Sequence, residues 1–193
     1  MKLLVATTNR GKLREIAGIL RGAPVELVTL ESYRAIPGPE ETGTTFAENA
    51  RLKALSYSKA TGLATVADDS GLEIDALDKA PGVHSARWHG TDYQVKFRRI
   101  YELLREKGVG GSTVRFVCCV AVADRGQIIF EATGTVEGEI AAEPRGAHGF
   151  GYDPIFYYPP FGMTLAEIEQ DRKATVSHRG KAFAALRDYL TRR

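Results

Sequence analysis

Cysteine is scarce in this sequence, and the two cysteines present are poorly placed to bridge each other. Cys118 and Cys119 are adjacent within an apolar run of the 193-residue chain. Neighbouring residues on a strand point to opposite faces of the sheet, so a disulfide between them is geometrically unfavourable. We therefore expect two buried thiols in a reducing compartment, and neither a disulfide framework nor a catalytic or metal-binding cysteine.

Long hydrophobic runs are absent as well. The first apolar stretch, residues 3–6, is followed by polar residues and is too short for the core of a signal peptide. No later stretch approaches the length that a membrane-spanning helix needs. The sequence thus predicts a cytoplasmic protein that has no membrane partner.

Neither sign of charge accumulates along the chain. The 26 basic and 24 acidic residues are interspersed and leave a formal net charge of +2. A broad nucleic-acid-binding surface needs clustered positive charge, so this distribution argues against a nucleic-acid partner. It still permits a local basic pocket that binds a small anion.

Strand and helix patterns alternate along the chain, without repeats, low-complexity tracts or linkers. Short apolar runs predict strands at residues 3–6, 25–30, 64–67 and 113–123, and a hairpin turn at 124–126 leads into a strand toward Ile140. Helical spacing and capping boxes at Thr45–Glu48, Thr91–Gln94 and Thr164–Glu167 predict helices, including 12–21, one that runs to about Ala60 before Gly62, and one from near Ser177. The pattern predicts one α/β domain over residues 1–193, with a mixed sheet flanked by helices.

Polar residues gather in loops that directly follow apolar strands, where α/β proteins place their sites. The first such loop is Thr7-Thr8-Asn9-Arg10-Gly11-Lys12. Its glycine permits close backbone approach, the N–H groups at a helix start suit a phosphate, and the lysine adds a point charge. Taken alone, the segment is better interpreted as a simple helix N-cap.

The second loop, Asp68-Asp69-Ser70-Gly71, is predicted to end a strand. Two carboxylates at such a place are costly unless they meet a cation or hydrogen-bond donors. If strand geometry persists, they face opposite ways, so that one can hold structure while the other acts. Carboxylates suit Mg²⁺, and Glu40 and Glu41 offer more of them. An Asx-type turn and a solvated acidic loop are the alternative interpretations.

Two further segments complete the polar set. In Gly149–Pro154, Phe150 lies between glycines and can stack on a flat ligand, while Asp153 can accept from ring N–H groups. Lys173 and the segment Ser177–Lys181 are basic and precede or begin a helix, which suits an anion or a carbonyl oxygen. Packing of the aromatic loop on the core and a structural histidine are the alternatives. Together the four segments supply what a nucleoside triphosphate hydrolase needs.

Six motifs carry a resemblance to a known family, and they occur in that family's order across essentially the whole chain. They are Thr-Thr-Asn-Arg-Gly-Lys at 7–12, Glu-Glu-Thr-Gly-Thr-Thr-Phe-Ala-Glu-Asn-Ala at 40–50 with Lys53 after it, Ala-Asp-Asp-Ser-Gly-Leu at 67–72, Pro-Gly-Val-His-Ser-Ala-Arg at 81–87, Phe-Gly-Tyr-Asp-Pro-Ile-Phe at 150–156 and Ser-His-Arg-Gly-Lys-Ala at 177–182. The chain resembles the inosine triphosphate pyrophosphatase family, which includes the deoxyinosine and xanthosine triphosphate diphosphatases.

The resemblance implies an elongated mixed sheet flanked by helices, with two lobes around a nucleotide cleft, and a homodimer. It implies Mg²⁺-dependent hydrolysis of dITP, ITP and XTP to the monophosphate and pyrophosphate. Asp69 is the implied general base, and Asp69 with Glu41 or Glu40 is the implied metal site. The implied substrate-binding residues are Thr7, Thr8, Asn9, Arg10, Gly11, Lys12 and Lys53 for the phosphates, Ser70, and Phe150, Gly151, Tyr152, Asp153, Lys173, His178 and Arg179 for the base.

Two other functions fit part of the sequence. A pyrophosphatase for pyrimidine or other modified triphosphates would share the chemistry, although the His178-Arg179 pair favours a carbonyl-bearing purine. A catalytically silent nucleotide-binding module would share the loops, although Asp69 and Lys53 argue for catalysis. A substrate panel and a pyrophosphate-release assay distinguish these alternatives.

Overall fold

The computed structural model describes residues 1–192 as seven strands and five α-helices. The strands are β1 (Lys2–Val5), β2 (Glu26–Thr29), β3 (Ala64–Ile74), β4 (Thr113–Asp124), β5 (Gln127–Ile140), β6 (Phe156–Tyr158) and β7 (Met163–Thr164). The helices are α1 (Arg10–Ile19), α2 (Phe46–Thr61), α3 (Tyr93–Glu106), α4 (Gln170–Val176) and α5 (His178–Thr191).

The strands form one mixed sheet in the order β2-β1-β3-β4-β5-β6-β7. Strand β1 runs parallel to both β2 and β3, whereas β6 is antiparallel to β5 and β7. The predicted α/β class with a mixed sheet is therefore confirmed. The predicted hairpin is confirmed too, because β4 and β5 are neighbours joined by a two-residue turn at 125–126.

The chain divides into two compact units, each built from separate segments. The first contains Met1–Asp69, Cys118–Gly134 and the chain from His178 onward, and the second contains Ser70–Val117 and Thr135–Ser177. Strands β3, β4 and β5 contribute residues to both units.

The first unit packs helices closely onto buried strands. Leu3 and Leu4 of β1 are fully buried. Helix α5 lies directly on β5 at Gly134, where an added Cβ would come within 2.1 Å of the His178 carbonyl oxygen and 2.8 Å of the Ala182 nitrogen. A glycine is needed there because the two backbones approach so closely.

The second unit has its own hydrophobic core, into which α3 packs its apolar face. Phe97, Ile100 and Leu104 follow helical spacing and are all buried. They share this core with residues of β3, β4 and β5, and the rings of Phe116 and Phe156 stack at 4.7 Å.

Two of the three predicted capping boxes form in the structure. Thr45 and Glu48 form the predicted capping box of α2, and Gly62 ends that helix in the left-handed conformation. The Thr91–Gln94 box is wrong, because the side chain of Asp92 accepts from the backbone of Gln94 instead. The Thr164–Glu167 box forms, but it caps only a three-residue 3-10 turn.

Strand β3 is longer than predicted. The sequence suggested a strand over 64–67 that ends at Asp68, yet the strand continues through the Asp-Asp-Ser-Gly segment to Ile74. Leu72 and Ile74 are fully buried, so the strand gains apolar burial beyond the aspartates. The aspartates remain in the strand because cationic side chains from other elements form ion pairs with them.

Both cysteines are buried, as the sequence predicts. Cys118 and Cys119 form no disulfide among residues 1–192, and burial raises the pKa of the Cys118 thiol, which keeps it protonated. None of the helices in these residues combines the length and apolar character needed to cross a membrane.

Candidate functional site

Two carboxylates of the first unit converge on one ammonium group. Lys53 Nζ on α2 donates to Glu41 Oε1 at 2.8 Å and to Asp69 Oδ1 at 3.0 Å. Asn49 lies one turn earlier on the same helix face, and its Nδ2 donates to Asp69 Oδ2 at 3.2 Å. We call Glu41, Asn49, Lys53 and Asp69 the carboxylate–lysine cluster. Glu40, the other predicted metal ligand, is exposed on the preceding loop.

Burial and charge act in opposite directions on this cluster. Burial raises the pKa of Asp69 above its usual value, and the nearby Lys53 charge only partly opposes this effect. Burial also disfavours the Lys53 ammonium, but the charges of Asp69 and Asp68 outweigh it and raise the Lys53 pKa. Lys53 therefore stays cationic, whereas Asp69 takes up a proton more readily than an exposed aspartate.

Asp68 faces a different set of partners from its neighbour Asp69, as strand geometry predicts. Its Oδ2 lies 2.9 Å from Lys12 Nζ and 3.4 Å from Arg179 Nη2, while Arg179 Nη1 donates to Glu15 Oε2 at 2.7 Å. We call Lys12, Glu15, Asp68 and Arg179 the buried ion-pair network. Burial alone would raise the Asp68 pKa, but Lys12 and Arg179 hold it well below its usual range. Asp68 is therefore ionised at neutral pH.

The loop before α1 is organised by Asn9. The side chain of Asn9 accepts from the backbone N–H groups of Gly11 at 2.8 Å and Lys12 at 3.1 Å, and Thr7 Oγ1 accepts from the Asn9 N–H at 3.2 Å. These hydrogen bonds therefore support the interpretation of this loop as a helix N-cap. Thr8 and Arg10 are exposed, and Lys12 reaches Asp68 through its side chain.

A cavity of about 490 Å³ opens beside this loop in the first unit. Its walls are the loop residues Thr7, Thr8, Arg10 and Leu13 together with Gly38, Tyr57 and residues from the segment 29–36. The walls do not include the carboxylate–lysine cluster. The converging charges of that cluster, and not the cavity, mark the candidate catalytic site.

The second unit contains a compact arrangement around Asp153. Asp153 Oδ2 accepts from the backbone N–H of Phe150 at 2.8 Å and from Lys173 Nζ at 2.6 Å, and both charged side chains are buried. The Lys173 ammonium lies 5.3 Å from the centre of the Phe150 ring, within cation–π range. We call Phe150, Asp153 and Lys173 the aromatic–ion-pair cluster.

The remaining predicted residues of the second unit flank this cluster. Tyr152 is buried, and its hydroxyl donates to the carbonyl oxygen of Ser85 at 2.9 Å. Gly151 lies in ordinary contact distance of Tyr93, since an added Cβ would be 3.6 Å from the Tyr93 hydroxyl. Ser70 follows Asp69 on β3 and is half-buried.

His178 and Arg179 belong to the first unit, although the sequence grouped them with Asp153 and Lys173. Both are buried at the start of α5. The guanidinium of Arg179 contacts Glu15 and Asp68.

Sequence reasoning missed two buried charged residues of the two units. Glu15 completes the buried ion-pair network, and Lys96 is buried on α3. Glu15 has no local signal, because its partner Arg179 is 164 positions away. Lys96 could have been noticed, since it lies four positions before the buried Ile100 and so shares its helix face. Asn49, one helical turn before Lys53, was also given no role in the sequence analysis.

Gly149 is predicted to be intolerant of any side chain. Its φ is +71°, and an added Cβ would lie 2.1 Å from Asp153 Oδ2. Gly108 has φ +72° with nothing near a Cβ, so it matches the backbone strain without the clash. Gly149→Ala should lose about 1–3 kcal/mol more unfolding free energy than Gly108→Ala, the cost of leaving a buried polar group unsatisfied. Urea unfolding of both variants measures the difference, and equal losses would show that the Asp153–Lys173 pair tolerates displacement.

Comparisons with known proteins cover almost the entire chain. A model of the Ham1 family matches residues 3–189. A Nostoc protein named dITP/XTP pyrophosphatase is 50% identical, with 95% of this chain and 91% of the relative covered. An Exiguobacterium protein of the same name is 46% identical, with 96% and 95% covered. The solved structure of a HAM1 protein from Coxiella burnetii is 38% identical and has a TM-score of 0.92, with both chains covered completely.

Proposed function

Because the chain belongs to the Ham1 family, we propose that it hydrolyses purine nucleoside triphosphates with a carbonyl at the six-position to the monophosphate and pyrophosphate. The proposed substrates are deoxyinosine, inosine and xanthosine triphosphates. The relatives' names support this substrate class. The structural observation that carries the catalytic part is the convergence of Glu41 and Asp69 on Lys53.

The carboxylate–lysine cluster fits a divalent cation. Glu41 and Asp69 already direct oxygens at a single positive charge. No group of three or more histidine, cysteine or acidic residues able to hold a metal occurs among residues 1–192. Mg²⁺ does not need one, because it binds through one or two carboxylates plus the phosphates of its substrate. We assign Glu41 and Asp69 as its ligands. The bound ion would neutralise charge on the phosphates.

The side chains of the first unit supply the rest of the hydrolytic chemistry. Asp69, when ionised, accepts a proton from the water that attacks the α-phosphorus. Asn49 and Lys53 hold the two oxygens of Asp69 in place. Lys12 and Lys53 neutralise negative charge as pyrophosphate departs, and the Asp68 carboxylate positions Lys12.

Base recognition is assigned to the aromatic–ion-pair cluster, together with Gly151 and Tyr152 of the same unit. Phe150 stacks on the base, and Asp153 accepts from a ring N–H. Lys173 carries donors and no acceptor, so it can pair with a carbonyl oxygen but not with the amino group of adenine. An adenine base would leave buried polar groups unpaired, which disfavours it. A homodimer, which the resemblance implies, and a cytoplasmic location, which the sequence predicts, also belong to the proposal.

The base-recognition assignment predicts that two lysines differ in their effect on selectivity. Lys173→Met should narrow the ratio of kcat/KM for deoxyinosine over deoxyadenosine triphosphate by about tenfold or more, the usual worth of a lost polar contact. Lys12→Met, the matched control, should lower both values by similar factors, because every nucleoside triphosphate presents the same phosphates.

Steady-state kinetics with the two substrates decides the assignment. A ratio that collapses in Lys12→Met and persists in Lys173→Met would reverse the roles of the two residues. A wild-type protein that prefers a pyrimidine triphosphate would favour the alternative substrate class, and one that binds nucleotides without turnover would favour a silent binding module.

A further inference from the structure

A buried lysine of the second unit has no part in the proposed chemistry. The Lys96 side chain is fully buried, and its ammonium donates to the carbonyl oxygens of Ser85 at 3.0 Å and Ala86 at 2.7 Å. Burial lowers its pKa. A buried cation held by neutral carbonyls is a costly arrangement for stability alone. Its neighbours suggest what the ammonium does.

Lys96 shares an acceptor with the loop that contains Asp153. The carbonyl oxygen of Ser85 accepts both from Lys96 and from the Tyr152 hydroxyl at 2.9 Å. Tyr152 directly precedes Asp153, so a shift of its ring moves the backbone on which Asp153 is mounted.

The same ammonium also orders the aromatic rings beneath that loop. Lys96 Nζ lies 4.3 Å from the centre of the Tyr93 ring and 5.6 Å from that of Tyr152, both within cation–π range. The two rings meet edge to face at 5.1 Å, and Tyr93 contacts the position of Gly151. One charged group therefore touches each of the aromatic supports of the loop.

We propose that Lys96 is a positioning residue for nucleobase recognition: its ammonium fixes the Ser85 carbonyl and the rings of Tyr93 and Tyr152, and these hold Asp153 and Lys173 in their paired geometry. This inference rests on the proposed function. The loop needs such support because Gly149 and Gly151 both have positive φ and contribute no side chains of their own. Small displacements of groups that orient a substrate cost large factors in kcat/KM.

The test compares two lysine-to-methionine variants of the full-length protein. Lys96→Met retains the length of the side chain but removes the charge and the donors. It should reduce the deoxyinosine-to-deoxyadenosine ratio of kcat/KM by about tenfold, mainly through a higher KM for deoxyinosine triphosphate, with kcat changed less than about threefold. Lys79→Met is the control, because Lys79 is an exposed lysine of the same unit that pairs with Asp75. Its ratio should equal that of wild type.

A spectroscopic readout is independent of turnover. Trp88 is the only tryptophan of the chain and lies two residues after Ala86, whose carbonyl Lys96 holds. The Trp88 emission maximum should shift in Lys96→Met and remain unchanged in Lys79→Met. If Lys96→Met does not fold, Lys96→Gln replaces it, because glutamine retains a hydrogen-bond donor but removes the positive charge. Its ratio should fall in the same direction, and an unchanged ratio would overturn the inference.

The outcomes separate this inference from the function on which it rests. A wild-type protein without preference for deoxyinosine triphosphate would refute the proposed function itself. A selective wild type combined with an unchanged ratio in folded Lys96→Met would refute only the positioning role. Equal losses for both substrates, with the ratio preserved, would also refute it, because they indicate a merely structural lysine.

Discussion

Asp69→Asn is expected to lower kcat by about 10²–10⁴-fold, the usual contribution of a general base, while the protein remains folded. Asparagine keeps the shape of aspartate, and its single carbonyl oxygen can still accept from Lys53 or from Asn49, but it cannot take a proton from water. Lys53 keeps Glu41 as a partner, so folding suffers little. Single-turnover kinetics and urea unfolding of the same preparation measure the two effects. Wild-type turnover in the folded variant would remove Asp69 from the mechanism.

The pH dependence of kcat is a second test of Asp69 as the general base. Burial raises the pKa of Asp69, and only the ionised form accepts a proton. Turnover should therefore fall as the pH drops through this raised pKa, at a higher pH than for an unperturbed aspartate. The residual activity of Asp69→Asn should lack this acidic limb, and an identical limb in the variant would assign the titration to another group.

Asp68→Asn, the same substitution one residue before Asp69, is expected to lower the free energy of unfolding. Removing one partner from a buried ion pair costs about 3–5 kcal/mol, because the remaining charges lose their counter-ion. Lys12 and Arg179 are the charges affected. The control is Glu131→Gln, which breaks the exposed pair with Arg51 and should lower the unfolding free energy much less, because solvent screens that pair. Equal losses in urea unfolding would show that the buried ion-pair network adds no more stability than a surface pair.

The stability difference between wild type and Asp68→Asn should depend on pH. The folded-state pKa of Asp68 is depressed, so its stabilisation is complete above the unfolded-state pKa of about 3.9 and is lost as the pH falls from there toward the folded-state value. The difference in unfolding free energy between the two proteins should therefore be full at neutral pH and shrink as the pH falls below about 4. A difference that persists unchanged in acid would have a cause other than charge.

The sequence predicted those parts of the fold whose signals are local. The capping box of α2 and the hairpin between β4 and β5 depend on residues within a few positions of one another, and both are present. The length of β3 was mispredicted because two adjacent aspartates are typical of a turn. The cations that let them remain in a strand come from positions 12, 53 and 179, and only the folded chain brings them together.

The candidate site was predictable as a set of residues but not as a set of partners. Motif order pointed to Asp69, Lys53 and Glu41, which the structure joins at one ammonium group. The contact of Arg179 with Glu15 and Asp68 could not be read from the motifs. It arises because a fully buried guanidinium needs counter-ions, and residues remote in the chain supply them.

The products formed from deoxyinosine triphosphate test the central claim most directly. The purified protein is incubated with this substrate and Mg²⁺, and quenched samples are separated by ion-exchange chromatography to quantify nucleotides, pyrophosphate and inorganic phosphate. Hydrolysis between the α- and β-phosphates predicts deoxyinosine monophosphate and pyrophosphate in equal amounts from the first time point, with activity lost in excess chelator. Release of inorganic phosphate through a deoxyinosine diphosphate intermediate would contradict the account.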